Sequence, residues 1–143
     1  MLARYDDLPS DLNALATAVV DCCFHVHTHL GPGFFEKIYE DALCEEMQER
    51  NISFQRQMPF TIMYKTKPLG TSFRFDLVVE DQILLELKAV EQLHAIHQSQ
   101  IYAYLKAANM PLGFLINFNV DRIKNGIGRY LNKNFDSSEL RVK

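Results

Sequence analysis

Two apolar runs separated by a three-residue polar break constrain this chain more than any other segment. Phe73-Arg74-Phe75-Asp76-Leu77-Val78-Val79 is followed by Glu80-Asp81-Gln82 and then by Ile83-Leu84-Leu85-Glu86-Leu87-Lys88. This order reads as a β-hairpin. Successive side chains of a strand point to opposite faces of the sheet. Phe73, Phe75, Leu77 and Val79 are therefore expected to share one face, with Arg74, Asp76 and Val78 on the other. On the second strand Ile83, Leu85 and Leu87 form the apolar face, leaving Leu84, Glu86 and Lys88 opposite it. The apolar faces coincide only if the loop holds an odd number of residues. A three-residue loop pairs Val79 with Ile83 and sets Asp76 across from Glu86, whereas a simple two-residue turn separates the two acids.

Directly opposed residues have Cβ atoms roughly 4.5–5.5 Å apart, and like charges so placed destabilise the pair. A bound cation offsets that repulsion. Two carboxylates can hold a divalent metal, and the Lys88 ammonium can steady a developing negative charge, so Asp76, Glu86 and Lys88 have the parts for metal-assisted phosphodiester hydrolysis. The alternative is that Glu86 and Lys88 are solvated residues on the outer face of an amphipathic hairpin.

The 143 residues, 48% of them hydrophobic, suit one globular domain over 1–143, with 1–9 and 134–143 as loose ends. A formal net charge of −3 excludes a protein that coats nucleic acid by bulk electrostatics, so any such contact must be local. Cys22, Cys23 and Cys44 lack Cys-x-x-Cys spacing and suit a reduced, cytoplasmic protein. No apolar stretch approaches the ~20 residues needed to cross a bilayer, and the acidic N-terminus does not resemble a signal peptide. A membrane partner is not expected.

Pro9-Ser10 opens a helix whose apolar stripe, Leu12, Leu15, Ala16, Val19, Cys23 and Val26, runs to Leu30. Gly31-Pro32-Gly33 ends it, and a second helix is expected from about Phe34 to Arg50, with Glu36 at its dipole-favoured start and Asn51 closing it. A strand over 53–65 follows, with Pro59 marking an edge or bulge. Beyond the hairpin come a helix from Gln92 to Asn109, a fully apolar central strand Gly113–Phe118, and a last helix from Arg122 to Leu131. Arg122, Lys124 and Arg129 on that helix suggest a phosphate-contacting patch or a solvated face. His25, His27 and His29 lack the intervening Glu and the third ligand of a zinc site.

Gly33, Glu36 and Tyr39 spell Gly-x-x-Glu-x-x-Tyr, and the chain resembles the GxxExxY protein family of the PD-(D/E)XK nuclease superfamily. The likeness continues through Phe75–Glu80, Leu85–Glu91, Gln100–Leu105 and Gly113–Asn119. It implies an α/β fold with a restriction-endonuclease-like α-β-β-β-α-β core, a mixed four-stranded sheet flanked by helices, and an extra N-terminal helix. It also implies Asp76 and Glu86 as metal-binding acids, Lys88 as the catalytic lysine, and Glu36 as an acid supplied from the first core helix. Gln100 and Tyr104 match a Gln-x-x-x-Tyr element, with His97 one turn earlier, and Tyr39 lies beside Glu36 as a supporting, packing residue. Phe75 stands where the superfamily's name has Pro.

The expected cofactor is Mg²⁺, with Mn²⁺ as substitute, held by Asp76, Glu86, the Leu87 carbonyl and Glu36. The expected partner is nucleic acid, DNA ahead of RNA. A rival reading is an inactive nuclease-fold binding or scaffold protein. A homodimer is also compatible with the small size and with exposed apolar residues expected near Met58 and Met63.

Overall fold

The computed structural model describes residues 8–71 and 73–136. Two helices come first. α1 (Ser10–Leu30) buries Leu12, Ala16, Val19, Cys23 and Val26 as its spacing predicts, and stops where Gly31 turns to φ 68. Its cap differs from expectation: among the described residues no side chain closes the N-terminus, and the Pro9 carbonyl takes the Asn13 N–H at 2.9 Å. α2 (Glu36–Glu49) begins at Glu36 rather than Phe34, and Asn51 leaves it at φ 57.

The strand expected over 53–65 divides. β1 (Phe54–Phe60) joins the main sheet, while β2 (Met63–Tyr64) and β3 (Lys67–Pro68) form a small separate hairpin. Pro59 sits in edge strand β1, where a missing backbone donor costs little. β4 (Phe73–Val79) and β5 (Ile83–Lys88) form the central hairpin. α3 (Ala95–Ala108), shorter than expected, ends on Asn109 in the left-handed conformation, and β6 (Leu112–Asn117) runs parallel to β5. A helix is what the connection between parallel strands requires.

The last helix expected from Arg122 to Leu131 is absent. A 3-10 turn (Ile123–Asn125) leads into β7 (Ile127–Leu131), antiparallel to β6. Gly126 and Gly128 weaken any helix here, and Gly126 has a specific role: a Cβ on it would come within 2.1 Å of the Asn117 carbonyl oxygen. The close approach lets the Gly126 carbonyl accept the Asn117 N–H at 2.8 Å. The sheet therefore has five strands, ordered β1-β4-β5-β6-β7, rather than four.

Apolar clusters lie on both sides of the sheet. α1 and α2 pack on Leu77, Val79, Ile83, Leu85, Leu87, Phe114 and Ile116. On the other side Ile101 and Leu105 of α3 pack with Val78, Leu84 and Leu115. β6 is buried at every position, as its unbroken apolar run predicts. Gly113 lets α3 settle close to β6, since a Cβ there would stand 3.1 Å from Ile101 and Leu105. Cys22, Cys23 and Cys44 are buried free thiols.

Met58 is not the exposed residue expected, because it packs partly buried against the cluster under α3, whereas Met63 is 55% exposed. Of the expected loose ends, 1–7 and 137–143 lie outside the described residues. Leu8 packs against the first cluster, and Asp136 exchanges hydrogen bonds with Asn109 at 2.9 and 3.1 Å. Among the described residues no helix is long and apolar enough to cross a membrane.

Candidate active site

The β4–β5 loop has the odd length that its sequence requires. Val79 pairs with Ile83, Val78 with Leu84 and Leu77 with Leu85, so the next step sets Asp76 across from Glu86. Glu80 and Asp81 take positive φ at the turn, and Gln82 N–H closes it on the Val79 carbonyl at 2.9 Å. β5 alternates regularly: Ile83, Leu85 and Leu87 face the α1/α2 cluster, while Leu84 faces α3. Glu86 and Lys88 share the phase of Leu84 and are half-buried, on either side of the buried Leu87.

β4 does not keep the single apolar face expected of it. Phe73 and Phe75 pack beneath α3, against Tyr104, whereas Leu77 and Val79 belong to the α1/α2 cluster. The strand thus exchanges its faces at Asp76. The cause is local and involves both neighbours: Gln57, across from Asp76 on β1, has φ 49, and the ladder with β5 ends at Leu77. At this break the Asp76 carboxylate turns toward β5 and accepts the Leu87 N–H at 2.9 Å. The Asp76 N–H in turn favours the ionised Glu86 carboxylate.

All three acids of the site resist ionisation. Burial pushes the Glu86 carboxyl up to about 8, with the Asp76 charge adding to the effect. Burial also raises Asp76, against the Leu87 N–H that lowers it, and raises Glu36, against the Lys88 ammonium. Lys88 acts on Glu36, Asp76 and Glu86 alike, so its charge lies within electrostatic reach of all three. Desolvation of clustered carboxylates is the usual origin of such shifts.

The helices supply the rim. Glu36 is the first residue of α2. His97, Gln100 and Tyr104 fall on the inward stripe of α3. Tyr104 is raised first by burial and then by Glu86 and Asp76, which places its hydroxyl in their field. His97 caps its own helix: its Nδ1 accepts the His94 N–H at 3.0 Å, and burial followed by Lys88 lowers its pKa. Tyr39 is fully buried and committed to structure. Its hydroxyl donates to the Gly31 carbonyl at 2.6 Å and accepts the Phe34 N–H at 3.2 Å, while its ring stacks on Phe118 at 4.5 Å.

Arg122, Lys124 and Arg129 do not share a helix face. The first two belong to the segment around the 3-10 turn, and Arg129 lies on β7 opposite Phe114. His27 donates from Nε2 to the Val120 carbonyl at 2.7 Å.

Sequence reading passed over a polar support beside Asp76. Glu40, one turn after Glu36 and only 7% exposed, accepts from Arg56 Nε and Nη2 at 3.0 and 2.8 Å and from Gln57 Nε2 at 2.8 Å. The Gln57 amide also acts to lower the Asp76 pKa, so it touches Glu40 directly and Asp76 electrostatically. The one available signal was the i, i+4 spacing of Glu36 and Glu40 on α2.

The donor set fits a hard divalent cation. Asp76 and Glu86 offer carboxylate oxygens, and Glu86 Oε1 is buried without a hydrogen-bond partner among the described residues, an arrangement that costs free energy until something positive meets it. Among the described residues no three His, Cys, Asp or Glu side chains form a ready metal cluster. Glu36 therefore stands near the pair without completing a three-acid shell.

Helices on both faces of a mixed five-stranded sheet, with an acidic pair and a lysine where its central hairpin splays, define a restriction-endonuclease-like fold. A family model described as the PD-(D/E)XK nuclease superfamily matches residues 13–130, and the chain belongs to that superfamily. Its members are usually nucleases and generally use divalent metal ions. Neither the curated proteins nor the solved structures contain a match to this chain.

Proposed function

We propose that this chain is a Mg²⁺-dependent nuclease, with Mn²⁺ as substitute, that hydrolyses phosphodiester bonds at Asp76, Glu86 and Lys88. Within the superfamily, Gly33, Glu36 and Tyr39 assign it to the GxxExxY branch. One observation carries the reading: Glu86 Oε1 is buried and, among the described residues, unpartnered beside a second desolvated carboxylate, with an ammonium in reach. Without a ligand this arrangement opposes folding, which is the condition under which strained titratable groups point to function.

Asp76, Glu86 and the Leu87 carbonyl would hold the cation, with Glu36 adding negative charge from the start of α2. A divalent cation, when bound, supplies Lewis-acid polarisation of a phosphoryl oxygen and acidifies water. Lys88 then orients the nucleophilic water and offsets charge developing on the phosphate. Tyr104 and Gln100 bond a phosphate oxygen or hold Lys88 in place. His97, with Nδ1 already accepting a backbone N–H, fixes the start of α3 beside Lys88.

The full chain is incubated with single- and double-stranded DNA and RNA in Mg²⁺, Mn²⁺ or EDTA. Cleavage is expected with metal alone, to vanish in Asp76→Ala, and to fall about 100- to 1,000-fold in Lys88→Ala. Undiminished cleavage by Asp76→Ala overturns the assignment.

A further inference from the structure

Phe34 and Phe35 are 47% and 66% exposed, directly before Glu36 at the site. Neither ring belongs to a core cluster. Their backbone is nonetheless fixed. Gly31 and Gly33 take φ 68 and 113, and the buried Tyr39 hydroxyl clamps the segment at both Gly31 and Phe34. Ile96, 60% exposed in the first turn of α3, adds apolar surface beside His97, which feels Lys88. Exposed apolar side chains therefore flank the polar rim at the starts of both α2 and α3.

Basic groups face the Gly31–Pro32 segment that leads into Phe34 and Phe35. Gly31 and Pro32 form one wall of a cleft of about 490 Å³ whose other wall carries Asp121, Arg122 and Lys124. A chain of net charge −3 lacks the broad positive surface that holds a duplex by its phosphates. Exposed aromatics provide binding that needs no such field, because every base has a π-face, but only an unpaired base offers that face.

We propose that Phe35, presented rigidly at the start of α2, is a stacking platform for an unpaired base, with Arg122 and Lys124 contacting adjacent phosphates, so that the preferred ligand is single-stranded nucleic acid. This rests on the nuclease reading only for the position of the scissile bond. Stacking on Phe35 sets the neighbouring phosphate toward Glu36 and the acids beyond it. A ring carried on a pre-ordered backbone has only its own side-chain rotamers to lose on binding, which favours affinity from a single aromatic contact.

The test measures fluorescence anisotropy of labelled oligothymidylate, oligouridylate and a DNA duplex of equal length, with full chain in Ca²⁺, so that binding is read without turnover. Phe35→Ala is expected to weaken single-strand binding roughly 5- to 150-fold at every salt concentration while leaving duplex binding unchanged. Phe35→Tyr is expected to restore it. Arg122→Ala with Lys124→Ala should weaken binding at low salt and lose its effect at high salt. The thymidylate and uridylate arms distinguish DNA from RNA.

Equal losses on single strand and duplex, or no loss, overturn the proposal. So does a Phe35→Ala chain that changes sedimentation mass but not affinity, since the ring then serves a second copy of the chain. Metal-dependent single-strand cleavage indifferent to Phe35 overturns the platform and leaves the hydrolytic reading standing. Single-strand binding that depends on Phe35 without metal-dependent cleavage does the reverse.

Discussion

The Asp76 carboxylate accepts the Leu87 N–H at 2.9 Å, at the step where β4 and β5 stop pairing. A side chain here takes the place of a backbone acceptor. The bond fixes one acid between two strands and leaves Glu86, across from it, with a buried oxygen that has no partner among the described residues. The face exchange in β4 and the positive φ of Gln57 converge on this position.

Stability without metal should fall as pH rises. Glu86 has an ordinary pKa of 4.5 and is pushed up to about 8 by burial and then by Asp76. The folded state keeps a proton that the unfolded chain releases, so the stabilisation present below about pH 4.5 is lost progressively up to about pH 8. Burial shifts Asp76 and Glu36 in the same direction. Glu86→Gln is expected to raise metal-free stability by up to about 3 kcal/mol at pH 7 and by little near pH 4. Urea denaturation in EDTA across this range checks the slope; added Mg²⁺ should stabilise the wild-type chain most at the alkaline end.

Gln57 separates a local strain from a functional contact. A non-glycine residue at φ 49 costs about 1 kcal/mol, and the Gln57 amide bonds Glu40 and acts electrostatically on Asp76. Gln57→Gly should therefore keep or raise the melting temperature while lowering kcat/KM about 10-fold through a less firmly held Asp76. Parallel loss of stability and activity would assign Gln57 to the fold alone.

Glu40 depends on Arg56. Removing the guanidinium leaves a carboxylate that is 7% exposed beside Asp76 with only Gln57 to bond it. Arg56→Ala is expected to destabilise by about 2–4 kcal/mol, measured by urea denaturation. Arg56→Lys should recover little of that loss, because one ammonium cannot reproduce the two bonds to Glu40 together with the contact to Asp41.

Tyr39→Phe keeps the stack on Phe118 and removes both hydroxyl contacts. The cost should be about 1–2 kcal/mol in thermal denaturation. Because the Gly31–Phe35 segment is then released, single-strand affinity should drop along with it, and unchanged affinity would mean that the clamp does not order the platform.

The hairpin was legible in the sequence because loop parity dictates the pairing observed from Val79–Ile83 to Leu77–Leu85, with Asp76 and Glu86 as the next step along the two strands. The first two helices were legible from apolar spacing and from Gly31 and Asn51 at their ends. β7 was not: Arg122–Leu131 has charges at helix-compatible intervals, and the pairing with β6 and the close approach of Gly126 to the Asn117 carbonyl, which make a strand the better solution, exist only in the fold. The face exchange at Asp76 was likewise invisible, since it depends on Gln57 from a distant strand. Glu40 drew no attention in the sequence, because its partners Arg56 and Gln57 meet it only in the fold.

Calorimetric titration with Mn²⁺ tests the central claim most directly. The wild-type chain is expected to bind at a site that is lost in both Asp76→Asn and Glu86→Gln and retained in Gln100→Ala, with affinity rising between pH 6 and pH 8 as Glu86 gives up its proton. Equal Mn²⁺ affinity in the wild-type chain and the two acid variants would contradict it.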